Sequence, residues 1–175
     1  MSTDFKEIVE GARAAFTEDP AAAMIKYETS SRLDSGCRVV TKSRDHELVV
    51  DEPTEFGGTD TGAGPAEVLL ATLASCQIIT YQFYAGAMGI PLDGVDIELE
   101  GDLDLRGFLG MDDSIRPGLQ VIRAKVTVHS SASAEQIDAL KDAVAKYCPM
   151  LNNVSQPTPV EFDVKHQQTS EQAAQ

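Results

Sequence analysis

The sequence predicts an α+β fold in which antiparallel strands surround one long, buried helix. The helix is indicated by residues 68–88, which are mostly apolar and include no charged side chain. Segments in which apolar and polar residues alternate, as in half-buried strands, lie on both sides of it. One amphipathic helical pattern precedes these strands and another follows them. Runs of strands around helices are typical of α+β domains with an antiparallel sheet.

Composition narrows the class of protein. The 175 residues suit a single domain spanning 1–175, and the net charge of -14 disfavours nucleic acid and anionic membranes as partners. The N-terminus lacks the basic and then apolar pattern of a secretory signal, and three cysteines are too few for a disulfide scaffold. We therefore expect a cytoplasmic protein with reduced thiols.

The N-terminal third predicts one helix followed by three strands. Apolar residues recur at helical spacing in residues 4–16, with Thr3 as a cap and Asp19-Pro20 as the end. This helix, within residues 1–20, is an addition to the rest of the domain. Alternation then predicts an antiparallel meander with strands at residues 23–32, 37–42 and 46–50.

A glycine-rich loop at residues 53–64 leads into the central helix. It matches no phosphate-binding fingerprint, so the simpler interpretation is a flexible lead-in with Gly64 as the cap and Pro65 at the first helical position. The apolar run is also long enough to cross a bilayer. Its internal polar residues and the absence of flanking Lys or Arg favour a core helix instead, so we expect no membrane partner.

The second half predicts two strands, a helix and a final strand. These elements are a strand at residues 95–105, a long loop at 106–118, a strand at 120–129, a helix at 133–148 and a strand at 158–164. Residues 150–157 predict a loop or short helical turn, and residues 165–175 form a polar tail. A central helix of about 24 residues, roughly 36 Å long, is hard to cover with one small sheet. We therefore predict an intertwined homodimer.

Two of the three cysteines suggest chemistry. A buried cysteine is most often a packed thiol, which is our interpretation of Cys37 and an open alternative for the other two. Cys148 lies directly before Pro149 at a helix end. Cys76 and Cys148 together make a candidate peroxidatic and resolving pair, which favours reactive thiols over packed ones. Other chemistry has less support. The histidines show no metal-site spacing, and no cofactor motif is present, although a Cys–His protease arrangement stays open.

A reactive Cys76 would need a nearby cation. The thiolate is the reactive form, and burial in apolar surroundings raises a thiol pKa. Cys76 lies about three turns inside its helix, beyond the reach of the helix dipole. Arginine is the favoured partner because it stays charged when buried, and the candidates near turns are Arg32, Arg38, Arg44 and Arg106.

The segment GGTDTGAGPAEVLLATLASC at residues 57–76, followed by Cys148-Pro149, resembles the OsmC-like family, which includes the organic hydroperoxide resistance (Ohr) proteins. HELVVDEPTEFGG at residues 46–58 is also similar, and the resemblance covers roughly residues 24–164. It implies an intertwined α+β homodimer around two long central helices.

The resemblance also implies a reaction. Cys76 would attack an organic hydroperoxide and become a sulfenic acid, and Cys148 would condense with it to a disulfide. A small dithiol, a lipoyl group in some members, would reduce that disulfide, without a metal or flavin cofactor. An arginine near the first turn of the meander assists the cysteine in such members, and Arg32 is the nearest match, with Arg38 second.

One position departs from the family pattern. Ohr-type members carry a glutamate directly after the helix-opening proline, whereas this chain has Ala66 there and Glu67 one place later. At about 100° per residue, Glu67 and Cys76 fall on opposite faces of the helix. We therefore expect Glu67 to stabilise the helix N-terminus instead. The departure keeps a second hypothesis open, a non-catalytic redox-sensing or small-molecule-binding protein on the same fold.

Overall fold

The computed structural model describes residues 4–168 as a mixed helical and antiparallel structure, which confirms the predicted fold class. The helices are α1 (Phe5–Glu18), α2 (Pro65–Met88), α3 (Leu105–Phe108), α4 (Ala134–Tyr147) and α5 (Pro149–Ser155). The strands are β1 (Ser30–Ser35), β2 (Arg38–Ser43), β3 (His46–Val50), β4 (Gly94–Leu103) and β5 (Leu119–His129).

Helix α1 packs on the C-terminal half of α2. The Asp4 carboxylate caps α1 by accepting two backbone N–H bonds, and the predicted cap, Thr3, lies outside the described residues. The rings of Phe5 and Phe83 meet edge to face, with centroids 5.2 Å apart. Gly86 permits this approach, because a Cβ atom there would lie 2.5 Å from the Phe5 Cβ.

The strands form two separate antiparallel sheets in the described chain. Strands β1, β2 and β3 make the predicted meander, with Val40 opposite Val49. Strands β4 and β5 pair as a long hairpin, with Ile97 opposite Val126. The loop between β4 and β5 contains the short helix α3, and β4 packs against α2.

The central helix begins and ends where the sequence predicts. Gly64 is its N-cap and Pro65 its first residue, and Gly89 ends it in the left-handed conformation at φ 65°. A buried cluster joins α2 to α4 and to the start of β4, and its members are Tyr81, Ala85, Ile90, Leu140, Val144 and Cys148. The three members from α4 and its C-terminus are spaced four residues apart, so they form one stripe facing α2.

The prediction that α2 is buried on every side is wrong for the single chain. Only five of its 24 residues are buried, whereas Leu69, Ile79 and Met88 are 42%, 57% and 43% exposed. Among the described residues, α1, α4, α5 and β4 cover one side of α2 and leave the other open. By length and composition α2 could cross a membrane, a property that it shares with core helices of soluble folds.

One predicted strand is absent, and another begins later than predicted. Residues 158–164 form no strand, and Val160, Phe162 and Val164 are 68%, 85% and 87% exposed. The first strand of the meander begins at Ser30 rather than at residue 23, after a 3-10 turn at Pro20–Ala23 and an irregular stretch. Both segments are irregular, with exposed apolar side chains, and no strand in the described part of the chain pairs with them.

Candidate active site

The structure brings Cys76 and Cys148 together. The Cys148 thiol donates a hydrogen bond to the Cys76 sulfur, with the Sγ atoms 3.6 Å apart. Cys148 is 1% exposed, whereas Cys76 is half-buried and open to a cleft. A disulfide bond is about 2.05 Å long, so the sulfurs need to move about 1.5 Å closer to form one.

The junction between α4 and α5 holds Cys148 in place. Cys148 is both the C-cap of α4 and the residue before α5, with Pro149 at the first position of α5. Its backbone N–H donates to the Val144 carbonyl at 3.0 Å, and its own carbonyl accepts from the Asn152 N–H at 3.1 Å. The Cys-Pro dipeptide therefore fixes the chain direction at the thiol, since proline cannot continue the hydrogen-bond pattern of α4.

The surroundings of Cys76 oppose its ionisation. Burial raises the pKa of the Cys76 thiol, and the neighbouring Cys148 thiol adds to the increase. The backbone N–H of Met150 and the hydroxyl of Thr80 act in the opposite direction, but less strongly. The thiol in the single chain is thus less acidic than a free cysteine, as expected for a site without a cation.

Cys76 opens into an apolar cleft of about 730 Å³. This volume lies within the range of about 300–1,000 Å³ that is usual for small-molecule sites. Tyr84 and Tyr147 form one wall, with their rings stacked at a centroid distance of 5.2 Å and an interplanar angle of 3°. The other residues that line the cleft are Leu48, Ala63, Val68, Ala71, Thr72, Ser75, Ile79, Thr80, Phe83 and Pro149. None of the described lining residues is charged.

The predicted arginine is not at the cleft in the single chain. Arg32 is exposed on β1 and donates to the Asp34 carboxylate at 3.0 Å. Arg38 binds the same carboxylate and also donates from Nε to the Thr61 hydroxyl at 3.2 Å. The two guanidinium groups hold the pKa of Asp34 below its ordinary value. The activating role of Arg32 therefore stays a prediction.

The glycine-rich loop is anchored by Asp51, which the sequence analysis missed. Asp51 is 1% exposed, and its carboxylate accepts bonds from the backbone N–H groups of Glu52, Thr59 and Thr61. The hydroxyls of the two threonines also donate to it, at 2.6 and 3.0 Å. These bonds hold the pKa of Asp51 far below its usual range, and the bond from the Thr59 hydroxyl contributes most. The loop is thus fastened rather than flexible.

Two further features hold this loop against the meander and the residues that follow it. A Cβ atom at Gly58 would be 1.8 Å from the carbonyl oxygen of Glu52, two residues after the end of β3. Thr61 joins Asp51 to Arg38, so the loop and the meander form one hydrogen-bonded unit. The signal in the sequence was an aspartate directly after the apolar residues of β3, followed by two threonines.

The acid at the start of α2 takes the role that the sequence predicts. The Glu67 carboxylate accepts a hydrogen bond of 2.7 Å from the Gly64 backbone N–H. It therefore caps α2, and Ala66 leaves the position of the family glutamate without an acid. Within residues 4–168, no group of three or more His, Cys, Asp or Glu side chains is placed to hold a metal ion.

Comparisons with known proteins agree with this fold. The chain is 24% identical to the hydroperoxide reductase of Mycoplasma pneumoniae over 139 residues, which cover 79% of this chain and 94% of that protein. The crystal structure of an OsmC-like protein from M. pneumoniae superposes with a TM-score of 0.67 at 25% identity, over 76% of this chain and 89% of that one.

A more distant structure has the same fold. An organic hydroperoxide resistance protein OsmC from Legionella pneumophila gives a TM-score of 0.56 at 17% identity and covers 75% of this chain and 90% of that chain. A model of the family described as OsmC-like protein matches residues 58–163, more than half of the sequence, including residues 58–64 of the glycine-rich loop, α2 and both cysteines of the site. The chain therefore belongs to the OsmC-like family.

Proposed function

We propose that this protein is a thiol-dependent reductase of organic hydroperoxides. The observation that carries the proposal is the 3.6 Å approach of the Cys76 and Cys148 sulfurs beside an apolar cleft. The name of the M. pneumoniae relative, hydroperoxide reductase, supports it. The apolar lining suits the alkyl part of an organic hydroperoxide better than it suits hydrogen peroxide, because water-like molecules gain little from apolar walls.

The reaction uses both thiols in sequence. The Cys76 thiolate attacks the distal peroxide oxygen, the O–O bond breaks, and the alkoxide takes a proton and leaves as an alcohol. The resulting Cys76 sulfenic acid is then attacked by the Cys148 sulfur, which forms the disulfide and releases water. A small dithiol or a lipoyl-type group in the cytoplasm reduces the disulfide and returns both thiols.

The proposal includes a homodimer. The exposed side of α2 and the unpaired residues 158–164 present apolar side chains that a second copy would cover. Exposed apolar surface of this extent is typical of an interface. We further propose that Arg32 approaches Cys76 only in this assembly, or when substrate binds, and then stabilises the thiolate.

The test is stopped-flow consumption of cumene hydroperoxide or tert-butyl hydroperoxide with a dithiol donor. We expect turnover by the wild type and none above background by Cys76→Ala. The variant Cys37→Ser is the matched control, because Cys37 is exposed and hydrogen-bonded to the Phe56 carbonyl away from the pair. Equal rates for the wild type and Cys76→Ala would overturn the proposal.

A second candidate function is supported by one specific observation. Ala66 leaves the family glutamate position without an acid, and the described lining of the cleft provides no cation for Cys76. These features favour a redox-sensing or small-molecule-binding protein without turnover. A single slow oxidation by peroxide, with no catalytic cycling in the presence of dithiol, would favour this alternative.

A further inference from the structure

We propose that α1 adds a second apolar subsite to the Cys76 cleft, and that Arg13 there binds the anionic end of an amphipathic ligand such as an alkyl carboxylate. This inference rests on the proposed function, because it takes the end of the ligand that reacts with Cys76 to be a hydroperoxide. It concerns a part of the chain that lies outside the segment matched by the family, residues 58–163.

The subsite is a groove of about 240 Å³ between α1 and the C-terminal half of α2. Five residues of α1 line it, namely Ile8, Val9, Ala12, Arg13 and Phe16, and α2 contributes Phe83, Tyr84 and Ala87. Phe83 and Tyr84 also line the Cys76 cleft. The two cavities adjoin at these two side chains, and in the proposed complex the alkyl chain of the ligand crosses them from the cleft into the groove.

Arg13 is the single charged residue among the described residues that line either cavity. It is exposed at the rim of the groove, and no carboxylate lies within ion-pair distance of it in residues 4–168. The other cation of α1, Lys6, faces Glu10 at 4.0 Å and lies outside the groove. A cation without a partner beside apolar walls complements a ligand that combines an alkyl body with an anionic end.

The charge of the whole chain makes this cation significant. At a net charge of -14 the protein repels anions at long range, so an anionic ligand needs a local positive group. Neutral short-chain hydroperoxides, by contrast, need the cleft alone. The groove therefore predicts a preference for longer anionic amphiphiles over neutral ones of equal length.

The test measures binding and needs no turnover. Isothermal titration calorimetry of the reduced full-length protein compares dodecanoate with its uncharged methyl ester, both below micelle-forming concentrations. We expect the wild type to prefer dodecanoate and Arg13→Gln to lower that preference about two- to threefold, the middle of the range for an exposed ion pair. Lys6→Gln removes a charge from the same helix and should keep the preference. An unchanged preference in Arg13→Gln would overturn the role of Arg13.

A second variant tests the groove itself. Ala12→Leu fills part of the groove from a half-buried position of α1 with a good helix former and should weaken binding of both compounds. Equal binding of both compounds by Ala12→Leu and the wild type would overturn the subsite, as would occupation of the groove by a partner subunit in the dimer. Binding of dodecanoate without peroxide turnover would keep the subsite while removing the peroxidase proposal, so the two failures are distinguishable.

Discussion

The Cys148 thiol donates a hydrogen bond to the sulfur of Cys76 across 3.6 Å. The donor comes from the end of α4 and the acceptor from the middle of α2, 72 residues earlier in the chain. In this geometry a sulfenic acid formed on Cys76 has its resolving thiol already in contact. The disulfide should therefore form without a large rearrangement of either helix.

Oxidation by one equivalent of organic hydroperoxide should link Cys76 to Cys148. Intact mass under non-reducing conditions should fall by about 2 Da, and peptide mapping should find this pair linked. In Cys148→Ser the product should gain one or more oxygens, about 16 Da each, because the sulfenic acid has no resolving thiol. Cys37→Ser should behave like the wild type. A disulfide that includes Cys37 would contradict the assignment of the pair.

The reactivity of Cys76 should rise steeply with pH. Burial places its pKa above the ordinary 9.0, so the thiolate fraction grows tenfold per pH unit from pH 7 to 8 and does not level off below pH 9. The measurement is the alkylation rate by iodoacetamide in a Cys37→Ser background, resolved by peptide mass. A plateau near or below pH 7 would show instead that a cation, such as the proposed Arg32, lowers the pKa in the assembled protein.

Removal of the Asp51 charge should destabilise the domain. Asp51→Asn replaces an acceptor of five hydrogen bonds with an amide that cannot accept them all, so the thermal unfolding midpoint should fall by several degrees at pH 7. The control is Asp45→Asn, an exposed aspartate in the turn between β2 and β3, which should change little.

The effect of Asp51→Asn should also depend on pH. The folded pKa of Asp51 is lowered from 3.8, so its stabilisation is present above about pH 4 and is lost as the pH falls through the folded value. The difference in unfolding midpoint between wild type and variant should accordingly narrow as the pH is lowered from 5 toward 2. A difference that stays constant over this range would contradict an ionised Asp51 in the fold.

Two glycine-to-alanine substitutions should have opposite effects on stability. Gly58→Ala places a Cβ atom 1.8 Å from a backbone oxygen, so the loop must move, and we expect a loss of at least about 2 kcal/mol in the free energy of unfolding. Gly11→Ala lies in α1 with nothing within 4 Å of the new Cβ atom and should stabilise by about 0.5–1 kcal/mol. Urea denaturation measures both. A neutral Gly58→Ala would contradict the close approach of Gly58 to the Glu52 carbonyl.

The exposed face of α2 should hold the proposed dimer together. Light scattering coupled to size-exclusion chromatography should give twice the chain mass of 18.8 kDa. Leu69→Lys places a charge in the middle of an apolar interface and should shift the mass toward the monomer. Asp142→Lys, at an exposed position of α4, is the control for an added lysine and should stay dimeric. A monomeric wild type would remove the dimer from the proposal.

Local signals in the sequence predicted the elements that carry the thiols. The uncharged run of α2, its Gly64-Pro65 start and the Cys148-Pro149 junction all depend on neighbouring residues, so a single sequence is sufficient to find them. The contact between Cys76 and Cys148 depends instead on how α4 packs on α2, which no local pattern reports.

The features that the sequence did not predict depend on residues that are distant along the chain. Asp51 is held by Thr59 and Thr61, eight and ten residues later, in a loop without regular periodicity. The segment at residues 158–164 alternates like a strand, but alternation says only that one face is apolar and not which chain covers it. The length of α2 did indicate that one chain cannot cover it, but not which of its residues stay exposed.

The stacked pair of Tyr84 and Tyr147 gives the site its own optical label. The chain contains no tryptophan and four tyrosines, so half of its tyrosines lie in this one parallel pair. Tyr147 directly precedes Cys148. A shift of Cys148 on disulfide formation therefore moves Tyr147 and changes the coupling between the two rings. Circular dichroism near 275 nm can therefore follow the redox state of the unmodified protein in real time.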